Sequence, residues 1–161
     1  MGSLSKTYSM TGWRLGFALA PKAVVSQLQK LQSQSTSNPT SIVQKAGLAA
    51  LTSSQQCVAD MRAEYIELRK RIVEGLRAIP DIKCTMPEGA FYAFPDVSAV
   101  AARVGIDTAQ LTTRLLREGH VVGVPGEAFG TSEHIRISYP VTKQNIDEGT
   151  RRMAEFLGKL S

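Results

Sequence analysis

Ser3-Leu4-Ser5-Lys6-Thr7-Tyr8-Ser9-Met10-Thr11-Gly12-Trp13-Arg14-Leu15-Gly16 is the stretch whose reading decides the fold. One lysine stands among small hydroxyls, and Arg14 follows eight positions later between Gly12 and Gly16. Hydroxyls, a guanidinium and glycines that allow close backbone approach together suit a phosphate group. Lys6 then has two chemistries open to it. It can bind phosphate as a point charge or, desolvated beside another cation, act as a neutral amine that attacks carbonyls. A Walker-type phosphate loop does not fit, because Ser5 rather than glycine precedes Lys6 and Met1 leaves no position for that motif's first glycine.

The bulk numbers bound the answer. At 161 residues, with 43% apolar and 20% charged side chains, the chain is long enough for one ordinary domain with a real core. Nineteen basic against 14 acidic residues leave a net charge of +5, which suits anionic partners. The basic residues are scattered, however, and the run Arg69-Lys70-Arg71 falls in a helical pattern where it reads as a solvated face. The aromatic residues do not interleave with basic ones, so nucleic acid is not an expected partner. Cys57 and Cys84 are isolated, lack metal-ligand spacing and read as reduced thiols, with a disulfide left open. No apolar run is long enough to span a membrane and no charged-then-apolar leader is visible, so the expected address is cytoplasmic.

Outward from the lysine stretch, residues 13–20 read as a nearly continuous apolar strand, buried on both faces and ending at Pro21. Such a strand needs neighbours on both edges that the following chain does not supply, so the chain is expected to be a fragment. A helix follows Pro21, with Val24 or Val25, Leu28 and Leu31 on one face. A polar break spans 32–39, and a second helix opens at Pro39-Thr40. Ser53 and Ser54 offer a cap to a long amphipathic helix whose apolar positions are Val58, Met61, Tyr65, Leu68, Ile72, Leu76 and Ile79, with Pro80 stopping it. Residues 82–86 and 90–94 then read as a hairpin around Pro87-Glu88-Gly89. Asp107 or Thr108 caps a helix carrying Leu111, Leu115 and Leu116, ended by Gly119, and 121–124 is a strand leading into the loop Pro125–Gly130. In 134–139 the alternation sets His134, Arg136 and Ser138 on one face and Ile135, Ile137 and Tyr139 on the other. Thr142 starts a last helix with Ile146, Met153, Phe156, Leu157 and Leu160 inward.

Ser3-x-Ser5-Lys6 followed by Met10-Thr11-Gly12-Trp13-Arg14-x-Gly16 resembles the lysine loop of the class-I, fold-type-I aminotransferases, the aspartate aminotransferase-like branch in particular. Gly89-Ala90-Phe91-Tyr92, Val124-Pro125-Gly126-x-x-Phe129-Gly130 and Arg136-Ile137-Ser138-Tyr139 resemble that family's C-terminal motifs, in the same order. The resemblance implies pyridoxal 5'-phosphate held covalently by Lys6, its phosphate bound by Ser3, Ser5 and Arg14, and a substrate α-carboxylate gripped by Arg136. Taken alone, Arg136 would instead be expected to find an acidic partner or to lie exposed. His120, His134, Glu88 and Glu127 match no catalytic position.

The implied fold is α/β: the C-terminal small domain of such an enzyme, a short, mostly antiparallel sheet covered by helices with a long connecting helix, plus a remnant of the large domain. Residues 1–38 are assigned to the remnant, including an interface loop, and 39–161 to the linking helices and small domain. The implied activity is amino-group exchange between an amino acid, with an aspartate-like donor favoured, and a 2-oxo acid, in a homodimeric parent. The family's groups for the pyridine nitrogen and ring hydroxyl precede the lysine, so this chain alone is expected to be inactive. Two alternatives stand beside this reading: another fold-type-I enzyme such as a carbon–sulfur β-lyase, and a non-catalytic dimerisation domain.

Overall fold

In a computed structural model that describes residues 1–160, the lysine-bearing stretch closes on itself. Strand β1 (Gly2–Ser3) pairs antiparallel with β2 (Gly16–Phe17), Gly2 opposite Phe17 and Ser3 opposite Gly16. The backbones come this close because position 16 is glycine; a Cβ there would lie 2.9 Å from Gly2 O. The long buried strand expected over 13–20 is therefore not formed. Only two of its residues are in a strand, and Phe17 and Leu19 are 46% and 85% exposed. A strand buried on both faces needs partners along its whole length, and β1 supplies two residues.

Helix α1 (Lys22–Ser35) starts after Pro21 and runs into the expected polar break. In its last turn Ser33 and Ser35 donate their hydroxyls back to Lys30 O and Leu31 O. Helix α2 (Ser41–Thr52) follows with Thr40 at its N-cap, as the Pro39-Thr40 pair predicts. The expected apolar face of α1 is present but uncovered: no α1 residue is buried, and Val24, Leu28 and Leu31 are all exposed.

Backbone packing divides the chain into two units, Met1–Met61 and Arg62–Ser161. The division falls inside α3 (Gln56–Arg77), whose start is assisted by the Gln56 N–H donating to Ser54 Oγ. It ends at Arg77, a turn before Pro80, and buries Leu68, Ile72, Val73 and Leu76. The Arg69-Lys70-Arg71 run is only partly a solvated face. Lys70 pairs with Glu67 and Arg71 forks onto Asp147, while Arg69 donates to Pro87 O at 3.0 Å.

In the second unit the core holds the expected residues of α3, α5 and α6 except Leu116, which is exposed, and is arranged around a different sheet. Strand β3 (Tyr92–Ala93) does not form a hairpin with 82–86, which contributes only the Lys83–Asp96 bridge. Asp96 accepts from both the backbone N–H and the hydroxyl of Ser98, a local turn that launches the short helix α4 (Ser98–Val104). These hydrogen bonds also hold the Asp96 carboxyl below its ordinary range. Helix α5 (Thr108–Arg117) has a full capping box: Asp107 accepts from Gln110 N–H while Gln110 accepts from Asp107 N–H. Strand β4 is Val124–Pro125, shorter than expected, and β5 is Ile135–Ser138. The sheet order is β3-β5-β4, antiparallel throughout, with β5 central. Thr142 caps α6 (Lys143–Lys159) through Asn145 N–H, and Ile146, Met153, Phe156, Leu157 and Leu160 are all buried as predicted.

Leu111, Leu115 and Ile135 are fully enclosed in this core together with Val73, Leu76 and Val100. Leu115→Ala is expected to cost about 2–5 kcal/mol of unfolding free energy, read from urea titrations. A loss below about 1 kcal/mol would mean that α5 is not packed as described. On the surface of α6, hydrogen bonds from Arg151 and then Arg152 depress Glu148 from 4.5 to about 2. A carboxylate depressed in the folded state adds stability above its unfolded pKa and loses it as pH falls through the folded value. Glu148→Gln should therefore flatten the fall of the urea midpoint between those two pH values at low salt, with the difference vanishing in molar salt.

Candidate functional site

Small hydroxyls and glycines give the lysine stretch its shape. Leu4 is buried and its N–H donates to Leu15 O at 3.2 Å, so the stretch folds into a loop closed at its base. Gly47 of α2 is buried against that base; a Cβ there would meet Leu15 Cδ2 at 2.3 Å. Tyr8 ties the loop further, donating its hydroxyl to Gln55 Oε1 at 2.8 Å. Gln55 in turn donates its amide to Ala50 O and Ser53 O. Nothing in the sequence pattern singles out Gln55, since the bond joins residues 47 positions apart.

On this loop Lys6 sits in a turn with its side chain exposed within its own unit. Ser3 Oγ donates to Ser5 Oγ at 2.9 Å and accepts from Ser5 N–H at 3.1 Å, so the two hydroxyls are adjacent. Arg14 adopts the left-handed conformation, φ 52°, and donates Nη1–H to Thr11 O at 3.1 Å. A non-glycine residue in that region is held there against a cost of about 1–3 kcal/mol, the kind of strain that collects at functional loops. The loop thus carries the Ser5 hydroxyl and an Arg14 guanidinium with further N–H groups to donate, residue types that suit an anion.

Arg136 belongs to the second unit, in the middle of β5. Ile135 and Ile137 are buried on one side of the strand, and alternation turns Arg136 to the other. There its guanidinium carbon lies 4.5 Å from the centroid of the Tyr92 ring and 4.4 Å from that of Phe129. Neither of the partners expected of it, an acidic residue or open solvent, is what it has. The side chain is half-buried, no carboxylate pairs with it among the described residues, and its Nε is buried without a hydrogen-bond partner. An unsatisfied buried N–H costs about 1–3 kcal/mol, more for a charged group.

The glycine-rich loop brings Phe129 to this place. Gly126 N–H donates to His134 O at 2.8 Å, and a Cβ at 126 would lie 2.6 Å from both His134 O and Thr131 O. Gly130 closes the loop at φ 85°. Phe94 stacks on His134 at 4.7 Å and meets Phe129 edge-on at 6.0 Å, while Thr131 Oγ1 is 3.1 Å from His134 Nδ1. His134 is thus packed between Phe94 and the Thr131 hydroxyl. Tyr92, Phe94 and Phe129 carry no role in the sequence reading; the one available signal was that β3 aromatics of matching parity share the Arg136 face. A groove of about 420 Å³ at Ile72, Val122, Ile137 and Met153 contains none of the expected site residues. Cys57 is exposed, Cys84 is buried, and both are free thiols. No group of metal-ligating side chains occurs among the described residues.

Comparison with known proteins identifies the family. Residues 1–153 match the family model described as aminotransferase class I and II. An aspartate aminotransferase of Streptomyces avermitilis is 40% identical over 164 residues, covering 99% of this chain and 40% of that protein. An aspartate/prephenate aminotransferase of Nitrosomonas europaea is 37% identical, covering 98% of this chain and 41% of its own length. The crystal structure of the aspartate aminotransferase from Rhizobium meliloti superposes with a TM-score of 0.93 at 36% identity, over 99% of this chain and 41% of that one. The chain thus spans about 40% of the length of the curated relatives it matches. With the family model running from the lysine loop through the Arg136 strand and into the last helix, the chain belongs to the class I and II aminotransferases.

Proposed function

We propose that the chain carries the lysine loop and the carboxylate-binding arginine of a pyridoxal-phosphate-dependent aminotransferase, with aspartate as the favoured amino donor. The observation that carries this reading is the Ser3, Ser5, Lys6 and Arg14 donor set inside a segment matched by the aminotransferase family model. Relatives named for aspartate, and for aspartate and prephenate, support the donor class. A cytoplasmic homodimer completes the proposal.

The residues fit the cofactor's phosphate by their chemistry. The Ser5 hydroxyl, which accepts from Ser3, keeps its own hydrogen to donate, and Arg14 retains Nε and Nη2 beyond its bond to Thr11 O. When bound, pyridoxal phosphate supplies an aldehyde for amines and a ring that accepts electrons from the substrate α-carbon. Lys6 Nζ would hold that aldehyde carbon in the resting protein and move the proton taken from the substrate α-carbon. Lysine suits both tasks because its stem is long and its amine is basic once neutral. Arg136 would fork onto the α-carboxylate and so orient the α-proton. Lys6 is exposed within its own unit, and proton transfer of this kind works best where water is excluded. The activity is therefore assigned to a polypeptide with the full length of the relatives, and the isolated 161-residue chain is expected to be inactive.

In such a full-length protein, borohydride reduction should fix the cofactor to Lys6, and peptide mapping reads the position. Lys6→Ala should lower aspartate-to-2-oxoglutarate amino transfer by more than about 1,000-fold. A label on another residue would overturn the assignment. Release of pyruvate without 2-oxo-acid dependence would replace it with the carbon–sulfur β-lyase reading.

A further inference from the structure

We infer that Tyr92 and Phe129 are the positioning residues that make Arg136 a carboxylate fork. The inference rests on the reading of Arg136 given above. A guanidinium can be held in place in two ways. A neighbouring carboxylate does so by neutralising the charge and occupying N–H groups, which leaves little for a ligand. Two aromatic faces do so by attraction to the cation while accepting none of its in-plane hydrogen bonds. Arg136 has the second arrangement, with ring centroids 4.5 and 4.4 Å from its guanidinium carbon and no ion-pair partner among the described residues. Its charge and its terminal Nη–H donors therefore stay available, while Nε is enclosed.

Both rings are themselves braced. Phe91 packs on Tyr92 with centroids 4.6 Å apart. Phe129 is met edge-on by Phe94, which is stacked on His134, which lies against the Thr131 hydroxyl. The strand that carries Tyr92 is fixed at its start, where Ala90 takes a left-handed φ of 59° and its carbonyl accepts from the buried Tyr139 hydroxyl at 3.1 Å. Tyr92 also pairs with Ser138, two residues along from Arg136 on the same face of β5. Two rings this close to the guanidinium carbon limit how far it can move, and its terminal N–H groups keep the fork that a planar carboxylate requires.

The test is nitrogen-15 NMR of the arginine side chains in the 161-residue chain, titrated with succinate against sodium chloride of equal ionic strength. The Arg136 Nε–H signal, assigned by its loss in Arg136→Lys, should be displaced by the two ring currents and should move on adding succinate. Tyr92→Leu and Phe129→Leu should each abolish part of the ring-current displacement and weaken succinate binding by about 5-fold, whereas Tyr92→Phe should preserve both. Unchanged Ile135 and Ile137 methyl signals would show that the variants keep the core. Leucine variants that bind succinate as wild type does would overturn the positioning role and leave the carboxylate reading of Arg136 standing. An Arg136 signal that succinate moves no more than chloride does would overturn the carboxylate reading and the inference together.

Discussion

The central strand of a three-stranded sheet has no freedom about which side chains it buries. Ile135 and Ile137 fill the core between α3, α5 and α6, so Arg136 must face the other way. Every feature of the second unit's candidate site follows from that constraint. Tyr92 and Phe94 share the Arg136 side because β3 is in register with β5, Ala93 opposite Ile137. Phe129 arrives because the glycine-rich loop can fold back onto His134 without a Cβ in the way. The core and the site are two sides of one strand, and a register slip by one residue would bury the guanidinium and expose the isoleucines.

The first unit is built on a different economy. Its buried apolar side chains are those that close the lysine loop, Leu4 and Met10, with Gly47 of α2 pressed against the base. The faces of α1 and α2 that carry Val24, Leu28, Leu31, Ile42, Leu48 and Leu51 remain in water. Helices of this length are marginal without a packed face. The left-handed Arg14 and the Ser3–Ser5 pair are thus set by local bonds that need no large core.

How much of this was legible varied with the range of the interaction involved. The period-two pattern of 134–139, the capping residues Asp107 and Thr142, and the inward set of α6 were readable because each is decided within a few residues. The pairing of β3 with β5 rather than with 82–86 was not, since adjacent segments are the default partners and nothing local forbids them. Helix α4 escaped because it spans seven residues and its launch depends on a single Asp96–Ser98 turn. For the candidate site, Lys6, Ser3, Ser5, Arg14 and Arg136 stood out by residue type and motif. The aromatic sandwich could not be read, because its two rings come from segments 37 residues apart in sequence, between Tyr92 and Phe129.

The two thiols differ in a way that is useful at the bench. Cys84 is buried beneath the second unit's core and desolvation pushes its thiol up, whereas Cys57 stands exposed on the first turn of α3. A thiol-reactive fluorophore or spin label will therefore attach to one native position without any engineered cysteine. The chain carries its own single attachment point, on the first turn of α3.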